Sequence, residues 1–307
     1  MPTSLGTQGI GEGLDMIETV LAAVVPVLFV TGIGFFWVRA GRCLENPMLT
    51  PLVVDIGTPC LILSTFLKIQ LTLGSFAEIA AASVICLIAF SVVAYAALSL
   101  LGFRVRTFLP SLTFPNNGNL GLPLAAYAFG KTGLGYAIVF YAICMIGQFT
   151  VGQAVAAGAA NWKGVIRLPL LYATLLGAIV SVLHLAPPNW LVNTISLIGG
   201  MTIPLMLLML GASLARLRIS SMAKAGLLSA IRIVPGMGVG YAVSLVLGLH
   251  GIASSVLVMQ CAMPVAVYNY LFAQKWNNEP EEVAGLVVAS TVASVISVPA
   301  LLYFLTT

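Results

Sequence analysis

The stretch "FPNNGNLGLP", Phe114 to Pro123, decides how this chain folds. It holds three asparagines, two glycines and two prolines, yet apolar sequence flanks it on both sides. These residue types are poor helix formers, and proline also removes a backbone donor and clashes with the preceding turn. Unwound backbone at membrane depth is tolerated only where it is buried in protein or lines a wet cavity. We therefore expect two half-helices to meet at this decapeptide.

The composition places the rest of the chain in a membrane. Of the 307 residues, 60% are hydrophobic and 7% are charged, and the mean hydropathy is +1.08. A soluble domain carries roughly 25% charged residues. Apolar stretches of about 20 residues, long enough to cross a bilayer as helices, recur along the chain. Residues 1–15 lack the basic segment of a secretory signal, so the first apolar stretch is interpreted as a true span.

We predict an all-α, multi-pass membrane protein with ten spans and short connections, which leave no room for a second folded domain. The spans cover residues 17–39, 50–68, 75–101, 107–128, 133–157, 166–185, 191–214, 225–248, 252–274 and 281–305. Lysine and arginine favour cytoplasmic loops. The odd-numbered connections hold Arg39, Arg42, Arg104, Arg106, Lys163, Arg167, Arg216, Arg218, Lys224 and Lys275, whereas the even-numbered ones hold Lys68 and Lys131. Both termini are therefore expected on the non-cytoplasmic side of the plasma membrane.

Ten spans divide into two halves of five, residues 1–160 and 161–307, and an odd number of spans makes the halves insert upside down relative to each other. Interior prolines occur in matching spans of the two halves: Pro59, Pro115, Pro204 and Pro264 in spans 2, 4, 7 and 9. Inverted repeats with interrupted helices in corresponding positions indicate the binding site of a transporter. We expect the breaks at 114–123 and 262–270 to cross near the middle of the bilayer.

The crossing is interpreted as a carboxylate site. The N-terminal ends of half-helices carry partial positive charge, and neutral amides donate to an anion without a buried counter-charge. The residues expected to bind substrate are Asn116, Asn117, Asn119, Gln148, Gln260, Tyr268 and Asn269. The residues expected to shape the break are Pro115, Gly118, Gly121, Pro123 and Pro264. The alternative is that the asparagines satisfy the kinked backbone and that the two glutamines bridge helices.

Ionisable groups within the spans are few, and an ionisable residue inside a membrane is a candidate for function. Asp55, Glu78 and Arg232 are therefore candidates for ion coupling. Asp55 can also reach the lipid headgroups, and Arg232 can be structural or can extend to the interface. His184 and His250 fall at span ends, and the five cysteines have no CxxC spacing. No metal ion and no cofactor are expected.

These motifs resemble the auxin efflux carrier family, whose plant branch is the PIN transporters. The resemblance rests on the P-N-x-x-x-x-G-x-P pattern of span 4 and on "LMLGASLARL" at the end of span 7. It continues from "RIVPGMGVGYAVSLVLGLHG" into "VMQCAMPVAVYNYLFAQKWN", followed by "EP" and an apolar last span. Arg232, Pro235, Gln260 and Pro264 match positions that family members share. The resemblance covers essentially the whole chain.

The resemblance implies a ten-helix fold of two inverted five-helix repeats, with helices 4 and 9 crossing at their prolines. It implies transport of organic anions such as auxin or malonate- and malate-like acids, with Asn116 helping to hold the carboxylate. It also implies a scaffold of helices 1, 2, 6 and 7, a transport part of helices 3–5 and 8–10, and a homodimer formed through the scaffold.

This chain departs from the plant pattern in three respects. It lacks the long cytoplasmic loop between spans 5 and 6, which indicates a bacterial inner-membrane protein. Tyr268 and Asn269 stand where the plant pattern has a second proline. Glu78 has no lysine partner within span 3, whereas plant members carry an acid–lysine pair there.

Other functions fit the sequence less well. Phosphoryl or prenyl transfer needs clustered acids that hold metal ions, and an intramembrane serine protease needs a Ser/His pair at depth. A cation/proton antiporter needs paired buried carboxylates, which span 5 lacks, and a channel or receptor leaves the inverted repeat unexplained. A sodium-coupled bile-acid-type symporter is the alternative, with sodium held by neutral oxygens near Gln260 and Asn119. We predict a secondary transporter of small organic anions that works by alternating access, with a proton or sodium as coupling ion and no nucleic-acid partner.

Overall fold

The computed structural model describes residues 5–44, 48–69, 72–157, 164, 166–217 and 221–306. These residues are mostly helical, and the only β pairing among them is one isolated bridge. Seven helical segments in this part of the chain are long and apolar enough to cross a membrane, and shorter apolar helices accompany them. The prediction of an all-α, multi-pass protein is confirmed at this level.

We number the helices in chain order. They are α1 (Leu5–Arg39), α2 (Leu49–Phe66), α3 (Leu73–Leu100), α4 (Val105–Thr113), α5 (Asn117–Ala157), α6 (Pro169–Val182), α7 (Asn189–Arg216), α8 (Met222–Val246), α9 (Gly251–Cys261), α10 (Val267–Lys275) and α11 (Pro280–Thr306). Helix α5 breaks at Gly130, whose φ of +61° is one that L side chains rarely adopt. Predicted span 4 thus corresponds to α4 and the part of α5 before Gly130, and span 5 to the remainder of α5. Predicted span 9 corresponds to α9 and α10.

The helix ends differ from the predicted ones mainly in α1 and α6. Helix α1 begins at Leu5, although the apolar part that can span a membrane begins at Val20. Helix α6 has 14 residues because Pro169 starts it and His184, with a φ of +52°, follows its end. Lys163 and Arg218, which contribute to the charge bias, and the boundary predicted between residues 160 and 161 lie outside the described residues.

Helices α2 and α7 are interrupted close to their interior prolines. In α2, Leu52–Gly57 form a π-helical stretch shortly before Pro59, and the Thr58 hydroxyl donates to the carbonyl of Val53 at 2.8 Å. In α7 the helix is interrupted at Met201, shortly before Pro204. Because proline cannot donate to the preceding turn, that turn takes another hydrogen-bonding arrangement. The expectation of irregular helices near these prolines is confirmed.

Helices α1, α2, α6 and α7 pack against one another as a first group. Gly34 of α1 lies against the backbone of Leu208, and Gly211 of α7 lies against the carbonyl of Thr31. Small residues allow helix backbones to approach closely, which gains van der Waals contact where lipid removes the hydrophobic driving force. The contact between α1 and α7 therefore depends on two glycines.

The remaining helices form a second group. Helices α3, α4, α8 and α11 share a core that includes Phe90, Phe108, Leu228 and Leu286, and α9 packs on α5 and α8. The two groups meet where α1 contacts α5 and α11 and where α7 contacts the first turn of α5. The second group therefore contains both breaks that the sequence predicts.

A cluster of charges joins the ends of helices in this second group. Glu279 lies 2.9 Å from Arg104 and 3.8 Å from Lys224. The neighbouring Asn278 donates to the carbonyl of Ala156 at 2.9 Å. The cluster therefore links four helices at the end where basic residues are concentrated. Arg104 precedes α4, Ala156 lies in α5, Lys224 lies in α8 and Glu279 precedes α11.

Gly34→Ala is expected to lower the melting temperature of the detergent-solubilised protein by several degrees. A methyl group at this position collides with the Leu208 backbone, and overpacking of this kind costs roughly 1–3 kcal/mol. Gly32→Ala is the matched control, because open space surrounds a side chain added there. Equal melting of the two variants would contradict the close α1–α7 packing.

Candidate functional site

The break between α4 and α5 meets the break between α9 and α10 inside the protein. Pro115 and Val265 pair as an isolated antiparallel bridge, and the amide of Asn116 donates to the carbonyl of Pro264 at 2.7 Å. The amide of Val265 donates to Ser290 Oγ of α11 at 3.1 Å. Buried backbone groups need partners wherever water is excluded. Each break therefore finds its partners in the other break or in a neighbouring helix.

The local sequence explains why the helix stops and restarts at this point. Pro115 has no amide hydrogen to continue α4, which ends at Thr113. Helix α5 restarts with a π-helical turn, Asn117–Gly121, in which the amide of Gly121 donates to the Asn116 carbonyl at 3.1 Å. Pro123 follows in the first turn of regular helix, where a missing donor costs little. The N-terminal turns of α5 and α10 consequently both begin at the crossing.

Two of the predicted amides hold the breaks together. The Asn269 amide nitrogen donates to the carbonyl of Phe114 at 3.0 Å, and its oxygen accepts from Gln148 Nε2 at 3.2 Å. Both side chains are buried, so protein partners replace water for them. In this arrangement Asn269 and Gln148 satisfy the kinked backbone and bridge helices, which is the alternative considered for them from the sequence.

Other amides at the crossing retain unpaired atoms. Asn116 Nδ2, Asn117 Oδ1 and both polar atoms of the Gln260 side chain are buried and have no hydrogen-bond partner among the described residues. The second amide atom of Asn117 donates to Cys144 Sγ at 3.1 Å. A buried polar group without a partner costs about 1–3 kcal/mol, and such a group in a native structure calls for an explanation. Of these three side chains, that of Asn116 lines a cavity, so its Nδ2 can donate to a polar solute there.

Two neighbouring cavities lie at the crossing. A cavity of about 20 Å³ lies at the crossing itself, and a cavity of about 410 Å³ lies between α2 and α7 on one side and α10 on the other. Asn119, Tyr141 and Tyr268 line both cavities. The larger cavity extends to Arg216 at the end of α7. It therefore joins the crossing to the end of the molecule that is rich in basic residues.

A groove of about 750 Å³ follows the outer face of α1, lined by apolar side chains from Val25 to Ala40 and by Arg42. It shares no lining residue with the two cavities at the crossing. An apolar face on a membrane-spanning helix is suited to lipid, and it offers few groups that could hold a polar solute. The crossing is therefore the candidate site.

The remaining predicted residues lie in different surroundings. Gln260 packs its amide against Gly121, where an added side chain would displace that amide, and it lines neither cavity at the crossing. Asp55 and Glu78 are exposed, whereas Arg232 is buried beside the end of α9. Of the three candidates for coupling, Arg232 alone lies in the interior.

Sequence reasoning missed two residues that the structure brings to the crossing. Tyr141 lines both cavities, and Ser290 accepts the amide of Val265. Tyr141 lies seven residues before Gln148, two helical turns away on the same face of α5, so helical periodicity could have identified it. For Ser290 the sequence offers no comparable signal, because serine is common in membrane helices.

Asn269→Ala is expected to lower the melting temperature clearly more than Asn119→Ala. The first substitution leaves the Phe114 carbonyl and the Gln148 amide unpaired, which costs about 1–3 kcal/mol for a buried group. The second removes a half-buried amide that makes no side-chain hydrogen bond to another described residue. Thermal melting of both purified variants in one detergent measures the difference. Equal losses would contradict the holding role of Asn269.

Known proteins that resemble this chain in sequence indicate its family. The family described as membrane transport protein matches residues 19–159 and 154–302. An uncharacterized transporter from Methanothermobacter thermautotrophicus is 28% identical over an alignment of 298 residues that covers 92% of this chain and 96% of that protein. Auxin efflux carrier component 2 from Oryza sativa subsp. japonica is 27% identical over 134 residues, 41% of this chain and 21% of that carrier.

Auxin efflux carrier component 4 from Arabidopsis thaliana is 25% identical over 126 residues, 39% of this chain and 20% of that carrier. The chain thus matches about a fifth of the length of these plant carriers and nearly all of the Methanothermobacter protein. The two family matches together extend over most of the chain. It therefore belongs to the membrane transport protein family that includes the auxin efflux carriers, and it is a transporter rather than an enzyme.

Proposed function

We propose that this chain is a secondary transporter of small organic anions and that it binds their carboxylates where the two broken helices cross. One observation carries the proposal: the buried amide nitrogen of Asn116 has no partner among the described residues and lies where the N-terminal turn of α5 begins. The N-terminal turn of α10 begins at the same crossing. Helix N-termini attract anions, and a neutral amide adds a donor without adding charge.

The ten-span arrangement in two inverted repeats is part of this proposal. Spans 4 and 9 would each consist of two half-helices, α4 with the start of α5 and α9 with α10. The bridge between Pro115 and Val265 supports matched positions for the two breaks. The irregular turns near Pro59 and Pro204 support a similar match between spans 2 and 7. Inverted repeats with broken helices at the membrane midplane are typical of secondary transporters.

Alternating access would move the two groups of helices against each other. Helices α1, α2, α6 and α7 would form the scaffold, and helices α3–α5 and α8–α11 would carry the crossing. The 410 Å³ cavity supports this division, since α2 and α7 line one side of it and α10 lines the other. Arg216 lies at its far end, and by the charge bias of the loops that end would face the cytoplasm. We infer that the cavity is the cytoplasmic access path.

This topology would place both termini on the non-cytoplasmic side of a bacterial inner membrane. A proton would provide the coupling in this first candidate, and two copies would associate through their scaffold helices.

Sodium-coupled symport is the second candidate function. Asn117 Oδ1 and Gln260 Oε1 are buried oxygens without partners among the described residues, and neutral oxygens of this kind are suitable ligands for a hard cation. A thermal-shift screen against mono- and dicarboxylates, with sodium or with choline in its place, separates the two candidates. Stabilisation by a carboxylate at equal strength in both salts supports the first candidate, and stabilisation only in sodium supports the second.

Asn116→Ala is expected to weaken carboxylate binding at least about tenfold, the effect of losing roughly 1.4 kcal/mol of hydrogen bonding. The variant should remain folded, because the hydrogen bond between Asn116 and Pro264 uses the backbone amide. Affinity is measured by calorimetry on purified protein with the best carboxylate from the screen.

Asn193→Ala is the control for this measurement, since Asn193 is an exposed asparagine of α7. Unchanged affinity in Asn116→Ala would refute the assignment of Asn116, and an equal loss in the control would show that the effect is not local to the crossing.

A further inference from the structure

Arg232 is a fully buried cation near the middle of a membrane-spanning helix. Its relative exposure is 1%, and it lies about 15 Å along the axis of α8 from the first residue, Met222. A charged side chain at such a depth is costly and usually has a defined partner or function. The family assignment and the carboxylate site leave that cost unexplained.

The contacts of Arg232 are dipolar rather than ionic. Its Nη2 atom donates to the carbonyl of Cys261 at 2.9 Å, and its guanidinium lies 4.6 Å from the centroid of the Phe90 ring. Its Nε atom has no hydrogen-bond partner in the part of the chain that the structure describes. Cys261 is the last residue of α9, and a helix C-terminus carries partial negative charge. Arg232 therefore compensates a helix end, but a dipole does not neutralise a full charge.

No carboxylate neutralises Arg232 within the described part of the chain. The ion pairs found there join Arg104 and Lys224 to Glu279 and Glu282 at the end of the molecule. A buried positive charge thus remains without a fixed negative partner.

Arg232 lies directly behind the crossing. It lines a cavity of about 10 Å³ together with Cys261, Phe90 and Pro115. Pro115 also lines the cavity that contains Asn116, so this proline separates the guanidinium from the amide site. Gly236, one turn further along α8, makes the approach possible because any side chain there would collide with the Cys261 carbonyl.

We propose that Arg232 is the fixed counter-charge of the crossing site and that a bound carboxylate neutralises it. This inference rests on the proposed function and adds the origin of the preference for anions. The amides position the carboxylate by hydrogen bonds, while Arg232 favours its charge through one layer of protein without touching it. Charges separated by a few ångströms of protein interior interact more strongly than they do in water. Arg232 is thus a positioning and selectivity residue for substrate binding.

A purely structural role predicts different behaviour. If Arg232 served only to cap α9, a neutral side chain that still donates to Cys261 would preserve both stability and carboxylate binding. Removal of the donor would then destabilise the protein. If Arg232 is the counter-charge, a variant with a neutral donor at this position binds carboxylates more weakly than the wild type. Removal of the charge should then leave the empty protein at least as stable, because the penalty of keeping an unneutralised charge out of water exceeds the loss of the single hydrogen bond to Cys261.

The test uses Arg232→Lys, which keeps the charge, Arg232→Gln, which keeps a donor, and Arg232→Met, which keeps neither. Binding of a carboxylate identified with the wild type is compared with binding of its uncharged primary amide. We expect Arg232→Gln and Arg232→Met to lose at least about tenfold in carboxylate affinity and Arg232→Lys to stay within about threefold. Amide binding should change less than threefold in all variants.

Lys224→Met is the control, because Lys224 is a basic residue of the same helix that already has acidic partners. Wild-type carboxylate affinity in Arg232→Gln, or equal losses for the carboxylate and the amide, would overturn the proposal. So would an Arg232→Met protein that fails to fold or melts below the wild type. If the wild type binds no carboxylate, the proposed function fails, and the melting temperature of Arg232→Met still tests the unneutralised charge.

Discussion

The hydrogen bond from the Asn116 amide to the Pro264 carbonyl is the contact on which the rest of the structure depends. Each proline stops a helix inside a region where water cannot satisfy the backbone. Neither broken helix would be stable alone at that depth, because its free amides and carbonyls would lack partners. By meeting, the two breaks provide partners for each other, with further support from Ser290 and Asn269.

The meeting of the two breaks places helix N-termini, amides and a cavity at one point. The amides then divide into two roles: Asn269 and Gln148 join the breaks, while Asn116 and Asn117 retain unpaired atoms. An amide that holds the backbone contributes stability, and an amide left unpaired costs stability in the empty protein. Under the proposed function, a solute bound at the crossing would remove this cost, and the site would gain affinity from it.

Much of the fold could be predicted from composition and from the positions of the prolines. The apolar stretches indicate the helices, and Pro115 and Pro264 mark the breaks, because these signals are local and do not depend on partners. The roles of individual amides could not be predicted, since Asn116 and Asn269 are chemically identical and differ only in which backbone groups lie near them. The burial of Arg232 behind Pro115 could not be predicted either. It depends on how α8 packs against α9, and sequence periodicity does not specify such contacts between helices.

The central claim is that two broken helices cross and hold an anion between them. A cryo-electron microscopy map of the protein in lipid, with a carboxylate that stabilises it, tests this claim most directly. We predict that Pro115 and Val265 lie side by side and that the ligand carboxylate lies within hydrogen-bonding distance of Asn116. A continuous helix through residues 114–116, or a carboxylate bound away from the crossing, would contradict the account.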